Sequence, residues 1–439
     1  MLNLNSFSKR TNAMKRYLFA FFLLLSVGAT AQTTAMTFEV NGLKVIFRPT
    51  QKETVSIAMF FKGGIMNYDP QNAGIENLAL SAATNCGTKN YSVHDYKELA
   101  DEYGINISGA STTDYGVISL NCINKYFNQG WKLFSDAIVN PVFDQAEFSN
   151  EKERIISVTH AREVVPEALV DQMTMSNMFK GTRYSTPPLG TESTLRKLTT
   201  DSVKKYYYNT LLNKQRMFLV VAGKITKADL EKKIKEAFGE LKAKPYQQPV
   251  FADVLLTGDR LFTAQKNIAT NYISRVMNAP TMSNPDYPAF RLAVTVLSSY
   301  MHFKLRTEQA LSYAPGATVK TLQMPYTSLY VSTTQPKKSV LGMMEAFTDV
   351  KEGSYNKNVI KEIQKSYRLD SYSDQESAVT LVSNLGKAEI LGSYKLEEDL
   401  VAKVSAVTAE DVNRVYNKYL TGAVWIFVGN EQLGKDAFK

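Results

Sequence analysis

The regular pattern of the chain begins at "MTFEVNGLKVIFRP" (Met36 to Pro49), where apolar and polar residues alternate on either side of Asn41-Gly42. Alternation with a period of two predicts strands, and Asn-Gly suits the two-residue turn that joins them, so this stretch predicts a β-hairpin. The continuous apolar run in "SIAMFFKGG" predicts a buried strand next. In "NAGIENLALSAATNCGTKNYS" (Asn72 to Ser92) the spacing changes to that of a helix, with Ile75, Leu78, Ala79, Ala82 and Ala83 as its apolar face. Strand and helix do not alternate strictly, so the class is α+β, a sheet with helices on one side.

The pattern then recurs. In Leu198 to Gly223 the residues Thr199, Val203, Tyr207 and Leu211 reappear 209 positions later as Thr408, Val412, Tyr416 and Leu420, and the closing glycines Gly223 and Gly429 also match. Both copies predict a threonine N-cap, an acidic first turn, an amphipathic helix and an apolar strand ending in glycine. A second pair, Tyr115 to Ile138 and Tyr326 to Val350, reads as strand, turn and a helix carrying Phe-x-Asp, which sets Phe134 against Phe347 and Asp136 against Asp349. Two pairs at nearly one offset predict an internal duplication. The fold expected is two homologous α/β-sandwich halves, each a mostly antiparallel sheet with helices packed on it. They run over 32–245 and 250–439, with the junction in "KAKPYQQPVFADV" (Lys242 to Val254).

Length agrees with more than one core: 439 residues, 44% hydrophobic and 21% charged. Ahead of the first half, "MKRYLFAFFLLLSVGATAQ" has a basic start, an apolar run too short to span a bilayer and a small-x-small ending. Residues 1–31 therefore predict a secretory signal peptide, and an exported chain, periplasmic in a Gram-negative host. Those residues carry Lys9, Arg10, Lys15 and Arg16 and no acid, so the net charge of +9 falls to +5 on their removal. That is weak for nucleic-acid binding, and no basic cluster is interleaved with aromatics. Cys86 and Cys122 are the two cysteines; they form no disulfide framework, and free buried thiols are at least as expected as a pair.

The order hairpin, strand, "GGIMNYDPQNAGIENLALSAATNCGT", two helices, strand, "FSNEKERIISVTHARE" resembles the N-terminal half of the insulinase/pitrilysin metallopeptidases, including the mitochondrial processing peptidases. "TPPLGTESTLRKLTTDSVKKYYYNTL", "RMFLVVAGKI" and "LSSYMHFKLRTEQALSYAPGA" extend the resemblance over nearly all of the chain beyond Met36. Active members carry His-x-x-Glu-His three residues after the glycine matching Gly74: two imidazoles bind zinc and the glutamate activates its water. Here the positions read Asn77, Leu80 and Ser81, while the third ligand position, seven after Glu153, is His160. The chain's three histidines, His94, His160 and His302, are not within helical reach of one another, so no bound metal or cofactor is expected. His160 by itself reads as an ordinary core or surface histidine with a backbone partner.

What the resemblance retains is an Arg and a Tyr seven apart, Arg306 and Tyr313 in "LRTEQALSY", which in the family contact bound substrate near the catalytic centre. A guanidinium offers fixed donors to peptide carbonyls or a developing oxyanion, and a phenol adds one more. The resemblance thus implies the non-zinc subunit of a heterodimeric exported metallopeptidase, inactive alone, with zinc in a partner chain of the same fold and peptide as substrate. The alternative is a catalytically inactive scaffold or peptide-binding protein. Arg and Tyr at this spacing also suit a solvated helix face followed by a strand.

Overall fold

The computed structural model describes residues 34–249, 251 and 256–439. The signal peptide expected over 1–31 lies outside them. Among the described residues no helix is long and apolar enough to cross a membrane.

The hairpin forms as its pattern predicts: β1 (Met36–Val40) and β2 (Leu43–Pro49) pair antiparallel, and both Asn41 and Gly42 take positive φ, as the tight turn requires. With β3 (Thr54–Lys62), β4 (Asn106–Ser111), β5 (Tyr115–Ile123) and β6 (Met217–Gly223) they make a six-stranded sheet ordered β1-β2-β6-β3-β5-β4. The second sheet comprises β7 (Asp259–Gln265), β8 (Asn271–Asn278), β9 (Gly316–Lys320), β10 (Tyr326–Thr333) and β11 (Ala423–Gly429), ordered β7-β11-β8-β10-β9. Removing β1 makes the two orders identical, β2-β6-β3-β5-β4 against β7-β11-β8-β10-β9. In each sheet one pair is parallel, β2 with β6 and β7 with β11, and the remainder antiparallel. A topology this specific, repeated in one chain, is what duplication produces.

The first-half helices are α1 (Ile75–Asn85), α2 (Val93–Glu102), α3 (Phe127–Val139), α4 (Gln145–Val164), α5 (Pro166–Met178), α6 (Glu192–Leu195), α7 (Thr200–Tyr206) and α8 (Lys227–Phe238). The second half contributes α9 (Tyr287–His302), α10 (Pro336–Lys351), α11 (Asn358–Gln375), α12 (Ala378–Ile390), α13 (Lys395–Glu398), α14 (Leu400–Ser405), α15 (Ala409–Tyr419) and α16 (Glu431–Ala437). Thr199 and Thr408 cap α7 and α15, each closing a capping box. Tyr207 donates to the carbonyl of Ile138 at 2.7 Å, and its counterpart Tyr416 donates to that of Phe347 at 2.9 Å. These bonds equate Ile138 with Phe347. The Phe-x-Asp match of Phe134 with Phe347 is therefore displaced by about one helical turn; the amphipathic spacing is the same after a one-turn slip, so the motif could not fix the register.

Helices do not lie on one side only. Val55, Ile57, Met59 and Phe61 of β3 enter the first core beneath α1 and α3, whereas Phe60 faces α12 of the other half. A Cβ added at Gly386 of α12 would sit 2.0 Å from the Phe60 ring, so glycine lets helix and sheet meet there. Reciprocally, α5 of the first half packs on β8 and β11; Val170 and Met178 join Val276, Val424, Ile426 and Val428 in the first core. Trp425 and Phe427 point the other way, into the second core. Each sheet is thus covered on one face by its own half and on the other by a helix lent by its twin. This explains why Ile57 to Phe61 of β3 and the whole of β6 and β11 read as unbroken apolar runs.

Polar contacts reinforce the exchange. Lys44 pairs with Glu389 at 2.6 Å, Arg48 with Glu398 at 2.9 Å, and Lys52 with Glu376. At the seam between the halves, buried Asp114 accepts from Tyr184 Oη of its own half (2.7 Å) and from the Gln323 backbone amide of the other (3.0 Å), while Met324 N–H donates to the same phenol oxygen (3.3 Å). Burial pushes Asp114 up to about 6, against the opposing pull of those hydrogen bonds.

Two outcomes follow. Gly386→Ala should destabilise the chain by about 1–3 kcal/mol in chemical denaturation through overpacking against Phe60; a neutral result would mean α12 does not press on β3. Because the folded state binds the Asp114 proton more tightly, its contribution is present below the ordinary carboxylate pKa and is lost as pH rises through about 6. Between pH 7 and pH 4.5, wild type should gain about 2 kcal/mol of stability relative to Asp114→Asn.

Candidate functional site

α1 occupies the position expected of a metal-binding helix. Gly74 starts it from a left-handed conformation, and a Cβ there would lie 2.7 Å from the carbonyl oxygen of Leu189. The helix is not amphipathic as its spacing predicted: every residue from Ile75 to Thr84 is buried. Sheet, α4, α7 and neighbouring helices enclose it on all sides, so its polar positions need internal partners.

Asn77 meets that need by accepting the backbone N–H of Ser111 on β4 at 3.0 Å. Leu80 is fully buried; a Cβ on Gly116 of β5 would come within 2.4 Å of its Cδ1, so the leucine fills the space there. Ser81 donates to Glu151 Oε1. Arg154 grips the same carboxylate with two nitrogens, at 2.8 and 2.6 Å, and its Nη2 lies 3.3 Å from Ser81 Oγ. An amide engaged with backbone, an aliphatic chain and a hydroxyl tied to an ion pair do not fit a zinc site, and leave no general base at Leu80. Among the described residues no group of three or more His, Cys, Asp or Glu could hold a metal ion.

His160 is not beside Ser81. It is exposed and contacts Glu192 at 2.8 Å; Glu192 in turn receives Arg196 Nε at 2.7 Å, and Arg196 reaches Glu153 at 3.1 Å. Its partner is a side chain rather than the backbone group expected for it. Glu151, two residues before Glu153, is the acid brought to the motif helix. That residue stands in "EKER", but helical position alone does not say which glutamate turns inward. Cys86 and Cys122 are both free and buried, and burial pushes their thiols up to about 12 and about 11.

Arg306 and Tyr313 come together. α9 runs on into a π-helical turn, Phe303–Glu308, which presents Arg306. Ala310 then takes a left-handed φ of 51°, and the Leu305 carbonyl accepts N–H bonds from both Leu311 (2.7 Å) and Ser312 (3.2 Å). This tight reversal returns Tyr313 to Arg306, whose guanidinium stacks 4.4 Å from the ring centroid. Tyr313 is 79% exposed, Phe303 is also exposed, and His302 Nε2 lies 3.5 Å from Arg306 Nη1. Sequence spacing alone gave no hint of the stacking, nor of the strained turn behind it.

A duplicated sheet-and-helix chain with a filled motif helix and an exposed Arg–Tyr pair defines a metallopeptidase-like protein that lacks the metal site. Profile matches agree: residues 44–192 match the family described as "Insulinase (Peptidase family M16)", and residues 197–367 match "Peptidase M16 inactive domain". The chain belongs to the insulinase (M16) family. It is 20% identical to "Uncharacterized zinc protease YmxG" of Bacillus subtilis, over 87% of this chain and 94% of that one. It is 21% identical to "Non-peptidase homolog YmxG" of Helicobacter pylori (93% and 89%), and 21% identical to mitochondrial-processing peptidase subunit beta of Rattus norvegicus (89% and 82%). Among solved structures, a peptidase M16 inactive domain from Pseudomonas fluorescens shares the fold with a TM-score of 0.81 at 16% identity, covering 90% of this chain and 98% of that one. The periplasmic protease PqqL from Escherichia coli gives 0.75 at 14%, covering 92% of this chain but 47% of that one.

Arg154→Met should leave the buried Glu151 carboxylate without its counter-charge. The expected cost is about 2 kcal/mol, below the range for fully buried pairs because Arg154 is half exposed. Double substitution of Glu151→Leu with Arg154→Met should recover much of that loss in the same denaturation measurement.

Proposed function

We propose that this chain is the non-zinc subunit of an exported two-chain metallopeptidase, in which Arg306 and Tyr313 bind peptide at a zinc site carried by a homologous partner. The observation that carries this reading is the Arg306–Tyr313 stack: a π-helical turn and a positive-φ alanine hold a large, well-exposed aromatic against a guanidinium. Strained backbone and a wet aromatic add nothing to the core, and such features gather at binding surfaces. The partner would supply the metal and the general base. Arg306 would orient the peptide and direct N–H donors at the carbonyl oxygen, and Tyr313 would add one hydroxyl donor. Likeness to a processing-peptidase subunit, and to a protease of which this chain spans about half, supports a division of one working unit between two chains. The apolar leader supports export, to the periplasm where the host has one.

A second reading, a peptide-binding scaffold without any catalytic role, is favoured by the non-peptidase homologue from Helicobacter pylori. The two readings separate in one assay: a quenched-peptide mixture is offered to the mature chain alone, to the chain with a zinc-bearing homologue from the same genome, and to that pair carrying Arg306→Ala or Tyr313→Phe. We expect no turnover by the lone chain, turnover by the pair, a loss of tenfold or more with Arg306→Ala and a smaller loss with Tyr313→Phe. An inert pair that still binds peptide would establish the scaffold instead.

A further inference from the structure

Beside the filled metal position lies a second buried group that the reading above does not use. Glu76, on α1 and fully buried, faces Asn67 and Tyr68 of the segment after β3, Tyr206 at the end of α7, Gly116 of β5 and Arg216 just before β6. Its Oε2 accepts from Asn67 Nδ2 (2.8 Å) and from Tyr206 Oη (2.7 Å). Arg216 donates to Asn67 Oδ1 and to the Thr210 carbonyl (3.0 Å), and its guanidinium lies 4.5 Å from the ring centroid of Tyr246. Arg216 is the cation facing the carboxylate; Tyr68, Tyr206 and Tyr246 are the other ionisable groups, all with pKa values raised by burial.

Tyr246 belongs to the linker between the halves. That linker has no secondary structure over 242–249 and is held by side chains of the loop before β6: Lys244 N–H donates to Asn213 Oδ1 (2.8 Å) and Tyr246 N–H to Gln215 Oε1 (3.0 Å). Gly63 forms part of the floor, since a Cβ there would lie 2.9 Å from Tyr246 Oη. Within this one cluster Glu76 Oε1 has no hydrogen-bond partner, and three more buried polar atoms make no bond of good geometry: Tyr68 Oη, which has the Gly74 backbone beside it, and Arg216 Nε and Tyr246 Oη, whose side chains lie against each other. Each such atom carries a desolvation penalty that water would relieve. The closed arrangement is therefore poised against an opened one in which the linker lifts and the cluster is hydrated.

We propose that the Tyr246 segment of the linker is a proton-operated latch, closed over the Glu76–Arg216 cluster while Glu76 is neutral and opening when Glu76 ionises. The sign follows from burial, the largest influence on Glu76, which pushes it up to about 7 when the latch is shut. Hydration on opening restores the ordinary carboxylate range. The closed state thus binds the proton more tightly, and raising the pH through 7 favours opening.

Hydrogen exchange on the full mature chain, corrected for intrinsic rates and read on the Lys244 and Tyr246 amides, tests this at pH 6 and pH 8. The linkage predicts about a tenfold loss of protection in wild type between the two. Glu76→Gln should keep its pH 6 protection at both values, Tyr246→Ala should be unprotected at both, and Tyr206→Phe, which removes a donor to the ionised carboxylate, should move the transition to higher pH. Protection over β3 serves as the check that each variant is folded. A wild type without pH dependence, or a Glu76→Gln variant that loses protection as wild type does, would overturn the latch.

Discussion

The fold depends on burial of both faces of two sheets by helices exchanged between halves. Neither sheet could stand alone with β3, β6 or β11 at its centre, because each strand presents apolar residues on two sides and its own helices cover one. Helix α12 supplies the missing cover for the first half and α5 for the second. At the closest point the fit is tight enough to require glycine. The polar ties, Lys44 to Glu389, Asp114 to Gln323 and Tyr184 to Met324, add direction to contacts whose main contribution is removal of apolar area from water. The halves therefore hold each other, and a helix lost from one would expose a sheet in the other.

The same packing bears on chemistry. A metal-binding helix must present ligands to a cavity, whereas α1 is enclosed, and Asn77 and Ser81 are engaged by internal partners. The Arg306–Tyr313 pair is the reverse case, with polar and aromatic groups held out to solvent by backbone that departs from ordinary helix. One half fills the motif position with core, and the other holds an exposed Arg–Tyr pair.

Much of this was legible in the sequence. Asn41-Gly42, the capping threonines and the closing glycines signal through local chemistry, and the structure forms them as written. The exchange was present as well, in the unbroken apolar runs, but attributing both faces of a strand to helices from two halves needs long-range information that no short window carries. The register of the second repeat failed for a different reason, because a helix pattern survives a slip of one turn. At the site, the loss of the zinc motif followed from residue identity alone. The role of Glu151, and the stacking of Arg306 on Tyr313, depended on how side chains fold back, which spacing does not encode.

The packing of Leu80 makes the helix resistant to change. A glutamate at this position would give up the leucine's fit against Gly116 and enter a dry interior, and histidines at 77 and 81 would displace an amide bonded to β4 and a hydroxyl bonded to Glu151. Each of these changes alone weakens the fold and none alone restores a ligand set. Building a ligand set here must cross a valley that single substitutions cannot bridge, so the stability of the helix depends on its staying inert.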